Sequence, residues 1–328
     1  MAFRILGRFD GEARLAVVFF VLLALIPATI GGYTTYILPQ YMCFGILAMS
    51  LALLWGFTGI LSFGQAGFFA IGGYLMGLVL SGTIPFGGFF IALLMAAGLG
   101  YIVAALLGYF LFSAGVRDAY FVIVTLALSI IVEQIAVSQS QLTGGWNGMF
   151  VMRPEVDLGV AKLNLYGDLP AFYTVLAIVA LVYVLLHLYT RSRFGKILVG
   201  IRENEARLMS LGINTAWKKT LAFGLSGAVA AFAGALYAMH SGFVSPSLGG
   251  VLFSTEVVVW VAIAGRTSLL GALLGGIAVS WLSSIISAWT PAYWQLFVGL
   301  IFIITIAFFR DGVAGAIGKI SRKRRSKT

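Results

Sequence analysis

The chain has 328 residues, of which 61% are hydrophobic and only 10% charged, and it carries a formal net charge of +10. Soluble domains hold about 25% charged residues, so this balance excludes a water-soluble enzyme and leaves no place for a large soluble domain. It marks a polytopic helical membrane protein, in which excess positive charge belongs to cytoplasmic loops and not to a nucleic-acid site. Cys43 stands alone and the histidines are only His187 and His240, so neither an intrachain disulfide nor a cysteine- or histidine-built metal centre is expected.

The expected fold is all-α, a transmembrane bundle of about ten spans with both termini cytoplasmic. Residues 1–14 form a basic cytoplasmic segment. Leu15–Gly32 follows without a convincing cleavage site and reads as a retained first span. Ile37–Phe57, Leu61–Ser81, Phe86–Phe112 and Ala119–Gln139 are spans two to five. The loop Gln141–Pro170 precedes span six, Ala171–Tyr189. Thr220–Ser241 is span seven. Val251–Gly265 is short for a crossing, tilted or re-entrant, because a span needs ~20 residues. Leu269–Ala288 and Ala292–Phe309 complete the permeation domain, 15–310, before a basic tail, 311–328. With this topology, all but Arg153 and Lys162 of the 21 basic residues lie inside. Tyr33, Tyr36 and Tyr41, with Trp289, Tyr293 and Trp294, fall at outer edges as an aromatic belt. Ser62–Ser81 and Ser226–Pro246 are both Gly/Ala-rich spans ending in a short outer turn, a thin sign of an internal repeat.

Residues 191–219 are the longest polar interruption. Leu198, Ile201, Leu208 and Leu211 recur at helical spacing opposite a charged face. Gly200 is expected to split this element into two short helices and Gly212 to end the second. Glu203 and Arg207 stand four apart in the favourable order. An amphipathic helix held between two spans is a docking surface, with Leu208 and Leu211 buried in the contact and Arg202 and Glu205 paired at its rim.

No G-x-x-x-x-G-K-[ST] occurs, since Gly195-Lys196 and Gly318-Lys319 are each followed by Ile. Glu133 and Glu256 are the acids inside predicted spans, where each costs roughly 3 kcal/mol. Together with Gln65 they are candidates for a translocation pathway or an ammonium contact. The plainer reading places them near helix ends or in hydrogen bonds between helices, and then Glu256→Gln is tolerated better than Glu256→Leu. Gly73 and Gly77 form a G-x-x-x-G packing pair. Thr143, Gly144, Gly145, Trp146 and Asn147 make a Gly-rich outer turn, read as structural or as the contact of a substrate-delivering partner.

Four stretches carry a resemblance: Trp55–Tyr74, Ala119–Met149, Ser192–Tyr237 and Thr255–Gly271. In this order they are similar to the M-type (LivM-like) permeases of branched-chain amino-acid ABC importers. The segment Arg202-Glu203-Asn204-Glu205 with Leu211-Gly212-Ile213 is the most specific part. Asn204 stands where that family usually has an acid, and Ala264-Gly265 where it often has Gly-Gly. The related urea permeases share the Trp55–Gly59 and Val258–Arg266 patterns. The resemblance implies a coupling segment at Ile201, Arg202, Glu203, Asn204, Glu205, Leu208, Leu211 and Gly212. It also implies an inner-membrane assembly with a second homologous permease, two ATP-binding subunits and a periplasmic or extracellular binding protein. ATP and Mg would reside on the partner subunits and no cofactor in this chain. Substrates open on this reading are branched-chain amino acids, urea, short amides and aromatic acids. An ion-coupled secondary transporter is a different class, separated by ATP dependence.

Overall fold

The computed structural model describes residues 11–29, 31–84, 88–116, 118–157 and 162–289, with single positions at 296, 299, 300 and 303. The apolar runs form α1 (Gly11–Thr29), α2 (Tyr33–Thr58), α3 (Gln65–Leu80), α4 (Phe89–Ser113), α5 (Asp118–Ser138), α6 (Ser140–Thr143) and α7 (Asp168–Arg191). They continue as α8 (Arg193–Ser210), α9 (Thr215–Ser241), α10 (Val251–Ala264) and α11 (Leu269–Trp289). Seven of these are long and apolar enough to cross a membrane, and α3 and α10 are shorter apolar helices. Each of the first nine predicted spans is thus a helix, while the tenth, 292–309, lies outside the described residues except for its four single positions.

The core is built on α2 and α9, which are almost wholly buried, whereas α1, α4 and α5 leave most of their apolar surface uncovered. Leu94, Ile102, Leu106 and Phe110 on α4 are exposed in this way, as lipid-facing positions are when tails are as apolar as leucine. Glycine decides how closely the central helices cross. A Cβ on Gly72 would overlap the Ala231 carbonyl, and one on Gly234 would overlap the Phe69 carbonyl. So α3 and α9, the two stretches with repeat-like character, pack against each other backbone to backbone. The Gly73/Gly77 pair lies one step away from this crossing: Gly77 faces Met149 and Val151, and Gly73 also meets Val244.

Two antiparallel pairs add to the helical bundle: β1 (Met149–Phe150) with β4 (Phe243–Val244), and β2 (Glu155–Asp157) with β3 (Lys162–Asn164). Arg153 fastens this end. It donates to the His240 carbonyl at 2.9 and 3.1 Å, pairs with Asp168 at 3.3 Å and lies over the Tyr36 ring. A cation at the carboxyl end of α9 also complements the helix dipole. His240 Nε2 meets the Tyr36 carbonyl at 2.7 Å, which joins α9 to α2.

Both short apolar helices are entered through non-helical backbone inside the bundle, which a membrane tolerates only where protein satisfies it. Before α3, the Phe63 N–H donates to Thr125 Oγ1 at 3.1 Å. Ser129 Oγ donates to the Phe63 carbonyl at 2.9 Å and accepts from the Gly67 N–H at 3.3 Å. Before α10, the 3-10 turn Pro246–Gly249 brings Gly249 against Ala70 and Glu133. Val251–Ala264 therefore starts within the bundle, and at 14 residues it is roughly 21 Å long.

Candidate functional site

The polar element 191–219 is almost entirely helical. Ser192 caps α8 by accepting from the Gly195 N–H at 3.3 Å. The break falls at Asn204 (φ −161°, ψ 95°) and not at Gly200, which stays helical beneath the Leu208 side chain. Asn204 Oδ1 accepts from the Arg207 N–H at 3.0 Å and so acts as an N-cap for the second half. Asparagine competes with helical bonding through its own side chain, which is why it kinks this element where glycine does not. The break also removes the expected Glu203–Arg207 helix pair. Glu203 instead takes Arg202 at 2.7 Å. Gly212, at φ +80°, follows the end of α8 as expected.

The two halves of α8 are held differently. Leu198 and Ile201 are buried with Ala222 of α9, so Ile201 faces its own chain. The Arg202 guanidinium also donates to the Gly56 carbonyl at the end of α2. Glu205 binds Lys219 at 2.7 Å and accepts from Thr215 Oγ1 at 2.8 Å. Arg202 and Glu205 thus anchor α8 to α2 and α9 separately, and do not pair with each other. Leu208 is partly buried in the same cluster. Leu211 is 70% exposed and Met209 46% exposed, so these two carry the free apolar surface at the end of α8, with Trp217 exposed at the start of α9.

Above the kink lies a cleft of about 500 Å³, lined by Thr58–Leu61, by Phe112, Val116, Phe121 and Val122, and by residues 201–205 with Lys219. Gln65 sits beyond it and is 1% exposed. Its Oε1 accepts from Ser50 Oγ at 3.1 Å and its Nε2 donates to Ser226 Oγ at 2.9 Å. Gln65 is therefore a clasp between α2, α3 and α9, sealed from any open path in this conformation. Thr125 and Ser129, which sustain the unwound segment, went unnoticed in the sequence because lone hydroxyls in a span carry no pattern.

The two intramembrane acids separate. Glu133 lies beside the amino-terminal end of α10, where a Cβ on Gly250 would be 3.0 Å from its Oε2. The dipole of α10 favours an anion there. Glu256 lines a different cavity, about 280 Å³, between α2, α10 and α11. No hydrogen bond or ion pair engages it among the described residues. That removes the expectation that a neighbouring helix holds it by hydrogen bonds. Tyr41 also belongs to this cavity and is buried, so it is not part of the belt, whereas Tyr33 and Trp289 are exposed as a belt requires.

The Gly-rich turn divides as well. Thr143 is buried and donates to backbone carbonyls at its own helix end, Gln139 O at 2.8 Å among them. Gly145 is buried too, while Trp146, Asn147 and Gly144 are exposed. Trp146 joins Phe150 and Met152 as uncovered apolar side chains on this surface. Among the described residues, no group of three or more His, Cys, Asp and Glu is placed to hold a metal.

A bundle with two helices that begin inside the membrane-embedded core, and an amphipathic helix strapped across one end, is the architecture of a transport permease. The chain belongs to the family described as branched-chain amino acid transport system / permease component, whose model matches residues 33–306. It is a membrane-spanning permease subunit of an ABC importer. It is 30% identical to the high-affinity branched-chain amino acid transport system permease protein LivM of Escherichia coli, over 83% of this chain and 69% of that protein. The probable LivM permease of Methanocaldococcus jannaschii is 26% identical over 62% of this chain and 67% of its own length. The autoinducer 2 import permease LsrC of Klebsiella pneumoniae shares 26% over 41% of each chain. No solved structure matches the chain significantly.

Proposed function

We propose that this subunit moves branched-chain amino acids across the bacterial inner membrane in a binding-protein-dependent, ATP-driven importer. Its companions are a second homologous permease, two ATP-binding subunits that carry ATP and Mg, and an external substrate-binding protein. Both termini and α8 face the cytoplasm, because that topology puts nearly all the basic residues inside. The observation that carries the mechanism is the divided anchoring of α8. Its first half is part of the bundle through Leu198, Ile201 and the Arg202–Gly56 bond, and its second half presents Met209 and Leu211 outward. An ATPase groove that closes on Met209 and Leu211 would pull on α9 through Glu205–Lys219 and on α2 through Arg202. A rigid-body displacement of this kind is how packed helices transmit motion.

On this reading Ile201, Arg202, Glu203, Asn204, Glu205, Leu208 and Gly212 shape and hold the coupling element, and Leu211 with Met209 docks. Trp146 and Asn147 are the parts of the outer turn available to a binding protein. The test is uptake of leucine, isoleucine and valine into vesicles containing the complete assembly. Uptake should require both the binding protein and ATP hydrolysis. Uptake driven by an ion gradient without ATP would instead establish a secondary transporter, and ATP-driven uptake of urea alone would replace the substrate.

A further inference from the structure

The cavity around Glu256 combines a carboxylate, a row of hydroxyls and two aromatic rings. One wall is the sequence Ser280–Ser287 of α11, with serines at 280, 283, 284 and 287. The spacing i, i+3, i+4, i+7 places all four hydroxyls on one helix face, and all four line the cavity. Ser284 and Ser287 donate to carbonyls of their own helix, Trp281 and Ser284 respectively. Ser280 is only 7% exposed, and its Oγ has no partner among the described residues. Buried polar atoms are ordinarily satisfied, so a buried hydroxyl turned towards a cavity and left open points to a missing acceptor. The opposite wall holds the Glu256 carboxylate, which has no donor among the described residues. Between them lie the Phe44 and Trp260 rings, 5.3 Å apart between centroids.

A site with an unpaired anion, open hydroxyl donors and an aromatic wall suits a ligand with the opposite inventory. It needs a cation for the carboxylate, an acceptor for the serines and an apolar body for the rings. Aromatic faces also favour a neighbouring ammonium. We propose that this cavity is a binding site within the permease for a zwitterionic α-amino acid with an apolar side chain. The ammonium lies on Glu256, the carboxylate accepts from Ser280, and the side chain lies against Phe44 and Trp260. This inference rests on the amino-acid reading of the importer and adds where the substrate pauses in this subunit. Its volume, about 280 Å³, is near the lower end of small-molecule pockets, roughly 300–1,000 Å³.

The experiment uses the complete assembly in detergent, without the binding protein. Ser283 lines the cavity, so Ser283→Cys in a Cys43→Ser background reports on access. Millimolar leucine should slow its modification by a small methanethiosulfonate reagent. 3-Methylbutylamine, which keeps the cation and the apolar body, should also protect, and 4-methylpentanoate should not. Adding Glu256→Gln should raise the leucine concentration for half-protection by about tenfold, the scale of a lost charge-assisted hydrogen bond. Glu256→Asp should recover most of it. Ser280→Ala should weaken protection by leucine and leave 3-methylbutylamine unchanged, which a merely structural role would not do. Absence of protection by either amine in an assembly that imports leucine would overturn the site and leave the importer reading intact. Failure of leucine to protect the Ser283→Cys assembly, together with failure of the wild-type assembly to import leucine, would overturn both. Equal protection in the Glu256→Gln variant would overturn the role of the carboxylate.

Discussion

Lys219 and Glu205 meet at 2.7 Å where the second half of α8 passes the start of α9. The two charges are unequal in burial: the Lys219 side chain is 9% exposed and that of Glu205 25%. Stranding the more buried charge costs more. Glu205→Ala should therefore destabilise the chain by about 1–3 kcal/mol, below the range for fully buried pairs because water reaches this one. Lys219→Met should cost less, since Glu205 retains Thr215 and solvent. Thermal unfolding in detergent checks the order, and the double variant should recover part of the loss. The reverse order would mean that the pair does not tie α8 to the bundle.

Leu211 and Leu208 are expected to respond differently to the same change. Leu208→Asp places a charge in the cluster with Leu198, Ile201 and Ala222, so it lowers stability even in the isolated permease. Leu211→Asp alters an exposed position and should leave stability unchanged. Yet it should weaken retention of the ATP-binding subunits by about tenfold or more, since an unpaired charge enters a desolvated contact. Co-purification of the subunits with each variant provides the readout. If α8 instead lies on lipid headgroups, Leu211→Asp retains both subunits and the basic residues matter at least as much.

Gln65→Leu tests whether a buried amide is a clasp or a path. Ser50 Oγ has a second acceptor in the Leu47 carbonyl and Ser226 Oγ has one in the Ser50 carbonyl. Removing Gln65 therefore orphans little, and the expected loss is about 1–2 kcal/mol of stability. Uptake should persist. Abolished uptake in a stable, assembled Gln65→Leu protein would give this residue a place on the pathway.

Gly72→Ala should be damaging where Gly98→Ala is silent. The new methyl at 72 meets the Ala231 backbone, whereas nothing lies within 4 Å of the Cβ position at 98. Forced separation of packed helices costs about 1–3 kcal/mol. Comparison of melting temperatures and membrane yield decides it, and equal values would contradict the α3–α9 crossing.

Sidedness is open to labelling. Single cysteines at Ser210 and Ser326 in a Cys43→Ser background should be protected from an impermeant reagent added outside, and one at Asn147 should react. Asn147 is exposed, whereas a side chain at neighbouring Gly148 would run into the Val244 carbonyl. Ser326 lies outside the described residues. Labelling of Ser210→Cys from outside would invert the topology.

Composition and the length of apolar runs determined by themselves that this is a multi-span helical membrane protein, and they placed nine apolar helices within a few residues, seven of them long enough to cross a membrane. That is legible because a membrane demands ~20 apolar residues per crossing whatever they pack against. The amphipathic element at 191–219 was equally plain, being the long polar interruption. What tertiary structure alone decided is which surface each apolar residue meets. Lipid and protein are both apolar, so periodicity cannot separate the buried Leu54 from the uncovered Leu106. Nor can it assign long-range partners. Arg202 belongs to Gly56, Glu205 to Lys219 and Gln65 to Ser50 and Ser226. Only the fold sets Glu256 of α10 opposite the serines of α11. A hydroxyl in a span can satisfy its own helix backbone, so whether it is free for a ligand depends on contacts that the chain makes only once it has folded.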